Sequence, residues 1–275
     1  MVPFSVLMSV YKNEKKEYFC EAIDSVLNQT LKPDEIILVR DGKVPDELQK
    51  CIDSYLRKNG DLFTYIPFEE NKGLGCALRE GVLAAKNPII IRMDTDDISV
   101  PDRFEHQISF MELNPDISVL GGQIEEFIDN KENIICKRQV PVRDEAIKKF
   151  IIRRNPFNHM TVAFRKQDVI AAGNYMDMHY VEDYYLWLRM LLNDCNFGNL
   201  SKTLVYARVG ADMYKRRGGY VYFKSLKKLE KFKLDNKIIG LRDYITTLLI
   251  RYIVQVVLSN NARGWIYKKF TRASR

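Results

Sequence analysis

Four short apolar runs, separated by stretches of helical periodicity, occupy the first hundred residues and restrict the chain to very few folds. The runs cover residues 4–10, 35–39, 62–67 and 88–93. Between the first two, Phe19, Ala22, Ile23, Val26 and Leu27 fall on one helical face. A polar helix is expected over 45–58, and another over 73–86 with Leu74, Ala77, Leu78 and Gly81 turned inward. Strands alternating with helices predict right-handed β-α-β units, and runs without polar alternation fit strands covered on both faces. The expected fold class is α/β with a mainly parallel sheet. Further along, a helix is expected over 101–113, with Pro101 in its first turn. Strands are expected near 117–120, 134–140, 160–165 and 204–208, with a helix over 182–193.

Open sheets of this kind bind ligands beyond the carboxyl ends of their strands. Each run here delivers polar residues at that end: Ser9, Tyr11 and Glu14; Arg40 and Asp41; Asn71; and Asp94-Thr95-Asp96-Asp97. An N-terminal strand accounts for residues 4–10 better than a signal peptide does, since a basic flank and a small-residue cleavage site are missing. Five scattered cysteines without a C-x-x-C pair give neither a disulfide framework nor a zinc site, which implies a reducing cytosol. There is no G-x-G-x-x-G after the first run, no G-x-x-x-x-G-K-[ST] and no G-x-S-x-G, which disfavours a dinucleotide enzyme, a P-loop enzyme and a serine hydrolase.

Two acidic clusters suggest chemistry. A turn or a helix cap needs one Asp, whereas Asp94, Asp96 and Asp97 put three within four residues. A hard divalent cation, Mg²⁺ or Mn²⁺, held by Asp94 and Asp96 together with substrate phosphate oxygens, explains the excess. Glu182-Asp183 opens a helix, so it either complements the helix dipole or presents a carboxylate to a cleft as a proton acceptor. His159, at the expected start of a strand, stands between an incidental and a site role.

Taken together these residues resemble the family-2 glycosyltransferases. The matching stretches are Ser9-Val10-Tyr11-Lys12-Asn13-Glu14, Ala22 to Thr30, Glu35 to Gly42, Asn71-Lys72-Gly73-Leu74, Arg92-Met93-Asp94-Thr95-Asp96-Asp97, Pro101 with Arg103, and Glu182-Asp183-Tyr184 with Trp187. The resemblance covers about residues 4–210. It implies a GT-A, Rossmann-like fold, a UDP-sugar donor and inversion at the anomeric carbon. By the same resemblance Tyr11, Glu14 and Asp41 hold uracil and ribose, with Ser9, Asn71, Arg79, Arg92 and His159 in the donor site. Asp94 and Asp96 flank the diphosphate and its metal, and Asp183, beside Glu182, is the catalytic base. Two departures stand out. Arg40 replaces the first acid of the family's V-D-D-G-S element, and the Q-x-x-R-W motif of processive members is missing, which implies addition of a single sugar. The stretch Arg208-Val209-Gly210 to Gly218-Gly219 looks like the subgroup that assembles capsule, exopolysaccharide and O-antigen repeat units. That subgroup often transfers galactose or another hexose to a sugar on a polyprenyl diphosphate.

Charge divides the chain. Residues 201–275 hold 18 Lys+Arg against 4 Asp+Glu, whereas residues 1–200 hold 25 against 32. The expected division is a catalytic domain over 1–212, with a nucleotide half (1–100) and an acceptor half (101–212), followed by a basic helical segment over 213–275. In that segment Arg216 or Arg217 suits a diphosphate. The periodic stretch 244–258 either packs on the catalytic domain or lies in the interface of an anionic membrane. The expected location is peripheral on the cytoplasmic face of a bacterial membrane, with a homo-oligomer left open and no nucleic-acid partner. The two rivals are a sugar-nucleotide nucleotidyltransferase, which needs a glycine-rich loop after the first strand, and a nucleic-acid-binding protein using the basic end.

Overall fold

The computed structural model describes residues 1–210 and 219–258. The first half follows the alternation: β1 (Phe4–Tyr11), α1 (Lys16–Leu27), β2 (Glu35–Asp41), α2 (Asp46–Lys58), β3 (Phe63–Pro67), α3 (Leu74–Ala84) and β4 (Ile89–Asp94). The second half continues with β5 (Ile98–Ser99), α4 (Arg103–Leu113), β6 (Ile117–Phe127), β7 (Ile134–Arg138), α5 (Asp144–Ile151), β8 (Ala163–Arg165), α6 (Lys166–Ala171), α7 (Glu182–Leu192) and β9 (Asn196–Arg208). Two helices follow, α8 (Tyr220–Asp235) and α9 (Leu241–Tyr252), the latter running into a π-turn at Ile253–Val257.

The strands form one sheet in the order β3-β2-β1-β4-β8-β6-β9-β5, with β7 paired to β6. The N-terminal part of the sheet, β3-β2-β1-β4, is wholly parallel. Beyond it β8 runs antiparallel to β4 and β6, and β6 and β9 pair in parallel. Period-two alternation along the inner strands feeds two cores. Leu7, Ile37, Val39 and Ile90 face one cluster with α3 and α7, and Val6, Met8, Ile36, Leu38, Ile89 and Ile91 face the other with α1, α2 and α4. Gly81 sets the spacing on the first face, because a Cβ there would stand 2.2 Å from Leu7 Cδ1.

Several expectations shift. The strand expected at 117–120 extends to Phe127, because the polar Gln123 is buried and its amide bonds the Val140 N–H and the Leu200 carbonyl. The strand expected at 160–165 begins only at Ala163. The Thr161 hydroxyl donates to the Asn158 carbonyl (2.8 Å) and curls His159–Thr161 into a 3₁₀ turn, so His159 opens a turn and not a strand. The boundary expected at 212–213, and with it Arg216 and Arg217, lies outside the described residues. The helix α8 is built into the first core through Leu226 and Leu229. Its Lys233 is fully buried against α7, with Nζ donating to Tyr184 Oη (3.0 Å), Glu230 Oε1 (3.0 Å) and the Ile152 carbonyl (3.1 Å).

Candidate active site

The carboxyl ends of the parallel strands open into a cleft of about 670 Å³. On one side lie Ser9, Tyr11, Glu14, Asp41, Asn71 and the acids after β4. On the other lie His159, Glu182, Asp183, Arg154 and Arg251. The sequence-derived set is thus brought together, with two exceptions among the described residues. The Arg79 side chain lies on the surface of α3 beside Glu80, away from the cleft. Arg92 is 2% exposed and sits beneath Asp94 as its ion-pair partner, outside the lining of the cleft. Alternation along β4 turns this side chain into the sheet's covered face.

Three carboxylates crowd the end of β4. Asp94, Asp96 and Asp97 offer oxygens that all lie within 4.8 Å of one another. Burial, then Asp94, then Glu14 push the Asp96 carboxyl up to about 7. Burial and the neighbouring acids also raise Asp97, whose Oδ2 lacks a hydrogen-bond partner. Its Oδ1 accepts the Arg208 N–H (2.8 Å). The Arg208 guanidinium stacks 3.9 Å from the centre of the Tyr18 ring and bonds the Asp96 carbonyl (3.1 Å), which fixes the turn. An orphaned carboxylate oxygen beside two crowded acids suits a hard divalent cation bound through oxygen.

The side of the cleft built from β1, β2 and β4 is tied down by local bonds. Thr95 donates its hydroxyl to Glu14 Oε2 (2.6 Å), joining the segment after β1 to the turn after β4, and burial raises the Glu14 carboxyl. Asp41 accepts the N–H groups of Lys72 (2.6 Å) and Gly73 (3.0 Å) and the amide of Asn71 (2.8 Å). These bonds use most of its acceptor capacity, so Asp41 shapes the loop before α3 as well as lining the cleft. Gly42, at φ +84°, makes the turn that lets this loop approach, since a Cβ there would stand 2.7 Å from the Asn71 nitrogen. Arg40, standing where the family carries an acid, points instead to Gln49 Oε1 (2.9 Å) and the Phe68 carbonyl (3.2 Å).

Opposite, α7 starts at the cleft. Asp183 accepts the Asn155 amide at Oδ2 (2.6 Å) and the Tyr184 N–H at Oδ1 (2.7 Å). Burial raises its carboxyl above the usual range, against those two bonds and the charges of Arg92 and Arg138. Burial and the adjacent Asp183 push Glu182 up to about 7, and its Oε2 lacks a hydrogen-bond partner. Gly75 permits the close approach here, as a Cβ would stand 2.9 Å from the Met176 carbonyl. His159 Nε2 lies 3.3 Å from the Tyr175 hydroxyl, and burial, followed by Arg92, holds its pKa well below the ordinary value. Sequence reasoning missed Asn155, Arg154, Arg251 and the Arg208 stack. Of these only Arg208 lies in a stretch that carries the family resemblance.

The family model described as "Glycosyl transferase family 2" matches residues 5–172. The UDP-Gal:alpha-D-GlcNAc-diphosphoundecaprenol beta-1,3-galactosyltransferase of Escherichia coli is 39% identical over 270 residues, covering 98% of this chain and 96% of that one. The amylovoran biosynthesis glycosyltransferase AmsE of Erwinia amylovora is 39% identical over 255 residues, covering 92% and 94%. The fold is also that of the mannosyltransferase PcManGT from Pyrobaculum calidifontis, solved with GDP-Man and Mn²⁺, with a TM-score of 0.64 at 14% identity over 98% of this chain and 76% of that chain.

Proposed function

The chain belongs to glycosyl transferase family 2, and from that premise we propose that it transfers one hexose, galactose first among them, from a UDP-sugar to a sugar carried on a polyprenyl diphosphate. The observation that carries this reading is the pairing, within one cleft, of a crowded carboxylate cluster on the nucleotide side with Asp183 on the other. The full-length likeness to an E. coli enzyme named for this substrate pair supports it. Inversion by single displacement needs one base on the acceptor side and charge stabilisation on the leaving side.

In this reading Asp183 takes the proton of the acceptor hydroxyl as its oxygen bonds to C1. The bond from C1 to the diphosphate oxygen breaks, and UDP leaves with that electron pair. Asn155 and the Tyr184 N–H orient the carboxylate, and burial keeps it basic. Asp94 and Asp96 are the residues that would hold a divalent cation, which when bound supplies Lewis-acid stabilisation of a departing diphosphate. Arg92 holds Asp94 in place from beneath. UDP release from a panel of UDP-hexoses, with GlcNAc-diphosphoryl-lipid as acceptor, tests the function. We expect acceptor-dependent release with UDP-galactose. If no UDP-hexose gives acceptor-dependent release, the reading is wrong.

The C-terminal helices serve docking in the same reading. No described helix is long and apolar enough to cross a membrane. The helix α9 nevertheless leaves Leu241, Ile245 and Leu249 62%, 49% and 61% exposed along one face. An apolar ridge on a Lys/Arg-rich segment supports a helix lying in the interface of an anionic bilayer on the cytoplasmic side. Flotation with vesicles containing anionic lipid should carry the protein upward, and Ile245→Glu with Leu249→Glu should leave it at the bottom. Equal flotation of both proteins removes α9 from this role.

A further inference from the structure

The cleft handles charge in two opposite ways. Its nucleotide side presents carboxylates, which repel phosphate oxygens in the absence of a cation. Its other end presents guanidiniums, from Arg154 in the turn after α5 and Arg251 near the end of α9. Neither forms an ion pair among the described residues. Arg154 has only the Phe150 ring beneath it, 5.5 Å from its centre. Both act electrostatically on Tyr184, the residue after Asp183, so two cations from distant parts of the chain converge beside the base. Tyr222 and Leu226 of α8 line the cleft with them.

Two guanidiniums that form no ion pair among the described residues, at the mouth of a cleft, invite a doubly charged anion, which the planar fork grips through paired oxygens. On the transferase reading above, a sugar whose hydroxyl lies at Asp183 carries its own diphosphate one ring away, at the end where these arginines stand. We propose that Arg154 and Arg251 form the subsite for the acceptor's diphosphate, so that the enzyme selects its acceptor by the phosphate link as well as by the sugar. The donor diphosphate then meets carboxylates and the acceptor diphosphate meets arginines, which keeps the two from exchanging places.

The test compares two acceptors in neutral detergent, where no anionic headgroup is present: GlcNAc linked to an alkyl chain through diphosphate, and GlcNAc linked to the same chain through oxygen. We expect the native enzyme to favour the diphosphate acceptor in kcat/KM by about tenfold or more, as charge-assisted bonds provide. Arg251→Ala and Arg154→Ala should each erode that preference, mainly through the acceptor KM, with the KM for UDP-sugar little moved. Arg→Lys should restore part of it. Lys228→Ala, on the exposed side of α8, should keep the preference. If the native enzyme uses both acceptors and the two alanine variants keep its preference, the subsite is wrong while the transferase reading stands. The subsite is equally wrong if the variants differ from native only when anionic vesicles are added, which would assign the arginines to lipid headgroups. If the native enzyme uses neither acceptor, both readings fall.

Discussion

Asp183→Asn should retain UDP binding while turnover falls by about 10²–10⁴-fold, the range general base catalysis supplies. The amide fills the same volume but brings one acceptor oxygen to two donors, the Asn155 amide and the Tyr184 N–H, so one of those bonds is lost along with the proton-accepting carboxylate. The pH profile makes the prediction sharper. Burial raises the Asp183 carboxyl above the ordinary carboxylate range, and its neighbour Glu182 sits at about 7. A raised pKa means that the base gains its proton already in mild acid, so native turnover should drop as pH falls through that region. The variant should lack the Asp183 contribution to this acid limb. Rapid-quench or UDP-release kinetics across pH, beside calorimetric UDP binding, measure both parts. Transfer at near-native rate in the variant would remove Asp183 from the role.

The second large effect concerns the acids after β4. Several kcal/mol of leaving-group stabilisation correspond to a loss on the order of 10²-fold or more, so EDTA should bring transfer close to background. Mn²⁺ or Mg²⁺ should restore it. A readout independent of activity follows from the crowding itself. Asp96 at about 7 and the raised Asp97 record burial first and then mutual repulsion in the folded state, and a bound cation offsets both. Mn²⁺ should therefore raise the melting temperature of the native protein, by mass action on the folded state. It should do so far less for the Asp94→Asn, Asp96→Asn double variant. Full transfer in chelator, or equal thermal shifts for both proteins, would contradict the assignment.

The first hundred residues were legible because their signals are local. Apolar runs of strand length, helical periodicity and polar residues at one end of each strand need only nearest neighbours in sequence. The clustered acids at the end of β4 were legible for the same reason. The residues beyond were less so. The strand β6 passes through Gln123, Glu125 and Glu126, which read as a loop until the bonds of buried Gln123 to Val140 and Leu200 are known. The helix α5 offers only Ile147 and Ile151 as buried positions, too few to show a period. Asn155, Arg154 and Arg251 acquire meaning only because the chain folds them around Asp183. Arg79 shows the converse, a residue placed in the site from sequence that α3 turns outward.

Lys233 gives the molecule a mechanical property. A cation sealed from water, with Glu230 as its counter-charge and the Tyr184 hydroxyl as its anchor, has no solvent to exchange with and little slack. Removing it would strand Glu230 as a buried, uncompensated charge, a costly defect. Tyr184, the residue after Asp183, is thus tied to α8, so the first turn of α7 and a helix more than forty residues further along the chain meet in one sealed polar joint.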